Sequence, residues 1–266
     1  MPARFASAAL AFSPLVLDID SLQIRTVSRA AGHIAVRCAV TNFRDRGFAI
    51  AELTLSADQC DHIALSIPAI TTGRGGVRDL IDHPTVLQVL RHRDLAKYLW
   101  SVVGRELVAI KATLFDKTES IGRVTWHQDR TIAVRERLDV EGYTAWSVKG
   151  GVDHVQAPAH VLEQMLAMRI YLDECGPDNG PLHVIPGSHE LGKIAESEIS
   201  KIVAAQEPYE LCVPKGSIVI MRPLLLHSSP SARATSHRRV LHIEFGPAEA
   251  ISPLQWEQSV RMSSAA

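Results

Sequence analysis

The feature that most constrains this chain is a series of short apolar runs after residue 104. Turn-forming segments separate several of them, including "GPDNGP" at 176–181 and "PKG" at 214–216. The runs are ELVAIKATLF, VTWHQDRTIAV, AMRIYLDEC, PLHVIPG, GSIVIM, LLLHSS and RRVLHIEF. Many short strands separated by turns are typical of a β-sandwich or barrel. Helical patterns precede the runs and do not alternate with them, so we predict a mainly β domain with flanking helices.

Two helical regions are predicted ahead of the strands. Ser56 stands three residues before Gln59, which is a capping-box pattern and predicts a helix over 57–67. A second helical region runs from "HPTVLQVL" through "RDLAKYLWSVVG". Pro84 suits its first turn and Gly104 suits its end.

Composition excludes several classes of function. The 266 residues are 46% apolar and 21% charged, which is ordinary for a globular protein, and the net charge is -1. Because no block of five like charges occurs, we expect no nucleic-acid or anionic-membrane partner. No apolar run approaches the roughly 18 residues of a membrane helix. The cysteines form no C-x-x-C pair, and we interpret them as reduced thiols of a cytoplasmic protein; they are Cys38, Cys60, Cys175 and Cys212.

The chain divides into an extension and one domain. Residues 1–40 show no strong periodicity, and we interpret them as an N-terminal extension of unknown role, in preference to a secretion signal. Residues 41–266 are predicted to form one domain. Within it, 135–166 lack a clean strand pattern and interrupt the series of strands. A long irregular insertion is often a lid or binding loop, so we predict that role for 135–166.

The segment "TWHQDR" carries the clearest metal-binding pattern. His127 and Asp129 are two residues apart on a predicted strand, so their side chains point to the same face. In a helix the same spacing would place them about 200° apart. A 2-His-1-carboxylate set holds iron(II) and leaves coordination positions open. His227, at the end of the late strand "LLLH", is the candidate third ligand.

Two other His-x-acid pairs compete with this one. His92 and Asp94 fall in the second helical region, where the side chains would face opposite ways. His242 and Glu244 lie on a predicted strand, so geometry does not exclude them as metal ligands.

Residues after His227 suggest a carboxylate-binding site. Arg238 opens the strand "RRVLHIEF", and an arginine there could bind one carboxylate of a dicarboxylic cosubstrate in bidentate fashion. Ser229 follows His227 by two residues, so it shares its strand face and could assist.

At these residues the sequence resembles the phytanoyl-CoA dioxygenase family of iron(II)/2-oxoglutarate oxygenases. The resemblance spans about 41–250 and rests on DRGFAI, LFDKTESIGRVTWHQD, MRIYLDECGPDNGPLHVIPGSH, KGSIVIMRPLLLHSS and HRRVLHIEF. It implies a double-stranded β-helix, a jelly-roll barrel with helices packed outside. It also implies iron held by His127, Asp129 and His227, and 2-oxoglutarate bound by Arg238 with Ser229 nearby.

The resemblance further implies that Trp146 and Arg78 contact the cosubstrate, although both assignments compete with structural roles: lid packing for Trp146 and a solvated charge for Arg78. We interpret Lys117 as structural. The implied activity is the O2-dependent hydroxylation, or another oxidation, of a small organic molecule, with release of succinate and CO2. A jelly-roll hydrolase or isomerase, or a non-catalytic small-ligand binder, stays open as an alternative. Neither the substrate nor the oligomeric state follows from the sequence.

Overall fold

The structure is a computed structural model that describes residues 25–26, 41–67, 76–119, 121–233 and 237–263. Its strands, in chain order, are β1 (Arg25–Thr26), β2 (Phe48–Thr54), β3 (Gly76–Val77), β4 (Val108–Lys117), β5 (Val124–His127), β6 (Thr131–Val134), β7 (Thr144–Lys149), β8 (Val152–Gln156), β9 (Leu166–Tyr171), β10 (Leu182–Val184), β11 (Tyr209–Leu211), β12 (Ser217–Met221), β13 (His227–Ser229), β14 (Arg238–Gly246) and β15 (Val260–Arg261). Its helices are α1 (41–46), α2 (Ala57–Ser66), α3 (Pro84–Leu90), α4 (Arg93–Val103), α5 (Ala159–Leu162) and α6 (Glu196–Ala204).

The helix signals of the sequence are confirmed at α2, α3 and α4. Ser56 and Gln59 form the predicted capping box at the start of α2. Pro84 occupies the first turn of α3, and Gly104 ends α4 in a left-handed conformation with φ 67°. The second helical region differs from the prediction because it is two helices, and His92 is the N-cap residue of α4.

Two antiparallel sheets form the framework of the domain. The larger sheet has the strand order β1-β2-β12-β9-β14-β4-β15, with β3 also paired to β4. The smaller sheet has the order β11-β10-β13-β5. Buried residues of the two sheets form one shared apolar cluster, to which Tyr171 and Val240 contribute from the larger sheet and Leu182 and Val184 from the smaller. The predicted mainly β jelly-roll arrangement is therefore confirmed.

Strand β14 shows how the larger sheet separates two environments. Its residues Leu241, Ile243 and Phe245 belong to the apolar core that α2, α3 and α4 cover. The alternate residues Arg238, His242 and Glu244 point to the opposite face, since side chains alternate along a strand. That face is turned towards the smaller sheet, because Arg238 donates a hydrogen bond to Ser229 of β13. Polar groups on β14 are thus placed between the two sheets.

The segment 135–166 is more regular than its sequence indicates. It contains β7, β8 and α5, and β8 pairs with both β6 and β7 in a separate three-stranded sheet. Apolar residues of this sheet, including Ile132, Val134 and Val155, pack against Val108 and Ile110 of β4. The sequence pattern is unclear because β7 is largely exposed and lacks a buried face.

Three sequence predictions concern the remaining features. Of the N-terminal extension only 25–26 are described, where β1 pairs with β2, so its role lies outside the described residues. Cys60, Cys175 and Cys212 are free thiols, and Cys38 is outside the described ranges. No helix in those ranges has the length and apolar character that crossing a membrane requires.

Candidate metal centre

The pairing of β5 with β13 brings the two predicted histidine ligands together. His127 and His227 are direct partners in the register of these antiparallel strands, and their ring centroids are 4.2 Å apart. Asp129 follows β5, and its backbone N–H donates to the carbonyl of Pro223 at 2.9 Å. One Asp129 oxygen lies 3.8 Å from His127 Nε2, and the other lies 3.6 Å from His227 Nε2.

The candidate ligand atoms of these three residues all lie within 4.8 Å of one another. Among the described residues this is the group of histidine and carboxylate side chains that can hold a metal ion. Two imidazole nitrogens and one carboxylate are the donor set of iron(II) sites that keep coordination positions open. The donor chemistry therefore fits iron.

Both imidazoles are oriented from behind by backbone carbonyls. His127 Nδ1 lies 2.8 Å from the carbonyl of Thr125, and His227 Nδ1 lies 2.8 Å from that of Leu225. A carbonyl accepts hydrogen bonds, so Nδ1 carries the proton and Nε2 presents its lone pair to the centre. Burial lowers the pKa of His227, which favours the neutral imidazole that a metal ligand requires.

The three candidate ligands differ in exposure. The side chain of His227 is 6% exposed, whereas those of His127 and Asp129 are 39% and 38% exposed. A small molecule can therefore approach from the side of His127 and Asp129.

Gln128, between the two ligands after β5, fixes the loop around the centre. Its amide nitrogen donates to the carbonyls of Gly192 and Leu224 at 2.8 and 2.7 Å. Its amide oxygen accepts from the backbone N–H of Ile194 at 2.9 Å and from the Arg130 guanidinium. Gln128 is buried, and these contacts use both its donors and its acceptor. Sequence reasoning missed this role, since nothing local marks a glutamine as buried.

Arg238 lies at the start of β14 in a buried polar pocket. Its Nε donates to the carbonyl of Asn179 at 3.2 Å, and one terminal nitrogen donates to Ser229 Oγ at 3.3 Å. Ser229 in turn donates to the carbonyl of Gly180 at 2.8 Å. The other terminal nitrogen of Arg238, Nη1, is buried and has no hydrogen-bond partner among the described residues. An orphaned guanidinium N–H of this kind fits a carboxylate ligand.

The turn "GPDNGP" forms the wall of this pocket. Gly180 has φ 69°, and a Cβ there would meet the carbonyl oxygen of Pro230 at 2.7 Å. A side chain is therefore excluded at this position, and the turn can approach β13 closely enough to support Ser229 and Arg238. The sequence identified the turn but not this use of it.

Lys117 adds a second buried cation beside Arg238. The two residues are register partners on β4 and β14. Lys117 is 5% exposed, and its ammonium donates to the carbonyl of Gly122 at 2.6 Å. Burial, followed by the charge of Arg238, lowers the pKa of Lys117 to about 8. Lys117 therefore belongs to the pocket, in addition to the structural role that the sequence suggested.

The competing metal pairs do not form comparable sites in the described part of the chain. Glu244 is paired with the ammonium of Lys111 at 2.7 Å, and it lies 3.6 Å from His242. His92 occupies the N-cap position of α4, while Asp94 lies in its first turn.

Among the described residues, neither Trp146 nor Arg78 is hydrogen-bonded to the groups of the metal centre or of the Arg238 pocket. Trp146 lies on β7, packs against the apolar cluster of the insertion and stacks under Arg137 at 5.4 Å. Arg78 is exposed just after β3. Contact of either residue with a cosubstrate stays a prediction.

Comparison with known proteins places these observations in context. Residues 43–240 match the family described as "Phytanoyl-CoA dioxygenase (PhyH)". The structure is similar to EctD from S. alaskensis with 2-oxoglutarate and 5-hydroxyectoine, at 18% identity, with 92% of each chain covered and a TM-score of 0.62. It is also similar to AviO1 from Streptomyces viridochromogenes Tue57, at 23% identity, covering 84% of this chain and 96% of that one, with a TM-score of 0.57.

A further similar structure is the non-heme alpha ketoglutarate dependent epimerase SnoN from nogalamycin biosynthesis. It is 14% identical, with 81% of this chain and 83% of that chain covered and a TM-score of 0.57. At these identities the similarity establishes the shared fold. No curated protein matches the sequence significantly.

Proposed function

Because the chain belongs to the phytanoyl-CoA dioxygenase family, we propose that it is an iron(II)- and 2-oxoglutarate-dependent oxygenase that oxidises a small organic molecule. The proposed cosubstrates are 2-oxoglutarate and O2, and the proposed products include succinate and CO2. Hydroxylation is the reaction that we propose for the unidentified substrate.

The observation that carries the proposal is the combination of two sites on β13. His227 and Ser229 lie two residues apart, a separation of about 6.6 Å along an extended strand. His227 belongs to the candidate metal triad, and Ser229 accepts a hydrogen bond from Arg238. A five-carbon keto diacid can span this separation, with one end at the metal and the other at Arg238. A metal-dependent hydrolase or a simple binder has no need of the second site.

When bound, iron(II) and 2-oxoglutarate would activate O2 for attack on an unactivated C–H bond, with 2-oxoglutarate supplying two electrons as it is oxidised to succinate and CO2. His127, Asp129 and His227 would hold the metal, and the protein contributes position and exclusion of water. Arg238 and Lys117 supply positive charge at one end of the pocket, where the distal carboxylate would bind. The backbone carbonyls behind His127 and His227 keep both Nε2 atoms directed at the centre.

The sheet of β6, β8 and β7 supports a role in substrate binding. Its apolar residues pack against Val108 and Ile110 of β4, the strand that also carries Lys111 and Lys117. We propose that 135–166 cover the bound substrate and limit the access of water. Trp146 and Arg78 keep their predicted roles in binding the cosubstrate.

The titles of similar structures name more than one reaction, including an epimerase and a carbocyclase. We propose hydroxylation because it needs no group on the protein beyond those that position the substrate. Product analysis with candidate substrates distinguishes these reactions, since hydroxylation adds one oxygen atom and epimerisation adds none.

The test is an anaerobic titration of iron(II)-loaded protein with 2-oxoglutarate, followed by the weak visible charge-transfer absorption of the chelate. The wild type should develop the band, His127→Ala should not, and Arg238→Gln should require far more 2-oxoglutarate. Arg239→Gln is the matched control, because Arg239 is on the other face of β14 and pairs with Asp173 at 2.7 Å. Iron binding without a band in the wild type would contradict the oxygenase and favour a hydrolase, an isomerase or a binder.

A further inference from the structure

Arg169 is a buried arginine in the middle of β9 with no role in the function proposed above. It is 7% exposed, and the register of the sheet places it opposite His242 of β14 and Val219 of β12. One terminal nitrogen, Nη1, lies 3.3 Å from His242 Nδ1, and Nε is buried with no hydrogen-bond partner in the described part of the chain. An imidazole that accepts this hydrogen bond carries no negative charge. The guanidinium carbon also lies 5.9 Å from the centre of the Phe115 ring, so the described partners of Arg169 within the sheet include no negatively charged group.

The nearest carboxylate on β14, that of Glu244, already pairs with another cation. Glu244 accepts from Lys111 at 2.7 Å and lies 3.6 Å from His242 Nε2. Within the described ranges, no carboxylate lies within 4.0 Å of the guanidinium of Arg169 or of Arg238. A buried cation without a counter-charge destabilises a fold unless a ligand or partner supplies one. Two such cations in one pocket point to an anionic ligand with two charged groups.

Arg169 and Arg238 lie at different positions along the same face of the larger sheet. His242 lies four residues from Arg238 along β14, which is about 13 Å in an extended strand. Arg169 is the register partner of His242, so its side chain leaves the sheet well away from that of Arg238. Arg169 is therefore placed for the end of the cosubstrate that Arg238 does not bind. It shares its face of the sheet with both His242 and Arg238.

We propose that Arg169 is a second carboxylate anchor, which binds the 1-carboxylate of 2-oxoglutarate on the metal side while Arg238 binds the 5-carboxylate. This inference rests on the proposed function. His242 is then a positioning residue for Arg169, because its Nδ1 meets the guanidinium. The Lys111–Glu244 pair extends the same network from the other side of His242.

The experiment compares two ligands that differ by one carboxylate. 2-Oxopentanoate keeps the five carbons, the keto group and the 1-carboxylate of 2-oxoglutarate but lacks the 5-carboxylate. Both are titrated calorimetrically, without oxygen, into iron(II)-loaded wild type, Arg169→Gln and Arg238→Gln, with Arg239→Gln as the control. Combining ligand and side-chain changes isolates the pairwise interaction, as in a double-mutant cycle.

The expected result separates the two arginines. Arg238→Gln should weaken binding of 2-oxoglutarate at least about tenfold and leave binding of 2-oxopentanoate within about threefold. Arg169→Gln should weaken binding of both ligands at least about tenfold, because both carry the 1-carboxylate. Arg169→Lys should recover part of the affinity, since it restores the charge but not the fork of donors.

Three outcomes would overturn the inference or its premise. If Arg169→Gln weakens only 2-oxoglutarate, Arg169 binds the distal carboxylate and the assignment is wrong. If both affinities are unchanged, Arg169 is structural. If the wild type binds neither ligand, the proposed function fails as well, so the two failures are distinguishable. Arg169→Met, which removes the buried charge, takes the place of Arg169→Gln if thermal unfolding shows that the latter does not fold.

Discussion

Replacing Gln128 by leucine should loosen the proposed metal centre while leaving its three candidate ligands unchanged. The change keeps a buried side chain of similar size but removes the amide. The carbonyl of Leu224 and the N–H of Ile194 then lose their partners in buried surroundings. The carbonyl of Gly192 is only partly buried, so water replaces much of that contact.

The expected loss of stability follows from these contacts. Each buried backbone group that loses its partner costs about 1–3 kcal/mol, so we expect the metal-free protein to lose about 3 kcal/mol. For a chain of this size that corresponds to a fall in Tm of roughly 6–12 °C. Because Gln128 orients the segment that carries His127 and Asp129, iron(II) affinity should also fall about 10–100-fold.

The assays are urea denaturation of the metal-free protein and an anaerobic iron(II) titration. Gln164→Leu is the matched control, since Gln164 contacts Arg105 and the carbonyl of His160 near the surface. The control should lose less than about 1 kcal/mol, because exposed hydrogen bonds are replaced by water. If Gln128→Leu loses no more stability than the control, or binds iron(II) as tightly as the wild type, the reasoning is refuted.

Three further predictions concern the pocket, the buried ion pair and an outer helix. Lys117→Met should weaken 2-oxoglutarate binding about tenfold in calorimetry, because it removes a positive charge from the pocket. Since the pKa of Lys117 is lowered to about 8, the affinity of the wild type for 2-oxoglutarate should decrease above pH 8. The variant should show no such decrease. Glu244→Gln should lower the free energy of unfolding by about 2 kcal/mol, less than for a fully buried pair because the side chain of Lys111 is 31% exposed. Burial would raise the pKa of Glu244, but Lys111 and His242 lower it to about 2. The contribution of Glu244 to the stability of the fold is therefore lost as the pH falls from 4.5 towards 2. Urea denaturation across that pH range should show this loss in the wild type and not in the variant. Ser56→Ala should lower the free energy of unfolding in urea by about 1 kcal/mol, because it removes the cap of α2. The affinity for 2-oxoglutarate should stay unchanged, and a change would contradict the placement of α2 outside the site.

Local sequence signals account for much of the fold. The capping box at Ser56, Pro84 in a first turn and Gly104 at a helix end are effects of a few neighbouring residues, and each is confirmed. The strands are predictable because their alternation is local as well. The prediction is weaker at β7, where both faces are exposed and the alternation is lost. The break between α3 and α4 is not evident from the sequence pattern either.

The contents of the polar pocket show the limit of such reasoning. Lys117 and Arg169 stand in strands where a charge would be expected to face solvent, yet both are buried. Which face of β4 or β9 points inwards depends on the sheet that packs against it, and burial of a charge depends on partners far away in the chain. No local pattern reports either property.

By itself, the sequence determined the spacing of His127 and Asp129 on one strand face and the local starts and ends of helices, because both follow from backbone geometry over a few residues. Only the tertiary structure decided that His227 is the register partner of His127, that Gln128 joins three loops, and that Arg169 and Arg238 are both buried with no carboxylate of the described residues within 4.0 Å. The reason is physical. Pairing between distant strands, and the desolvation that accompanies it, are properties of the packed sheets and not of any one segment.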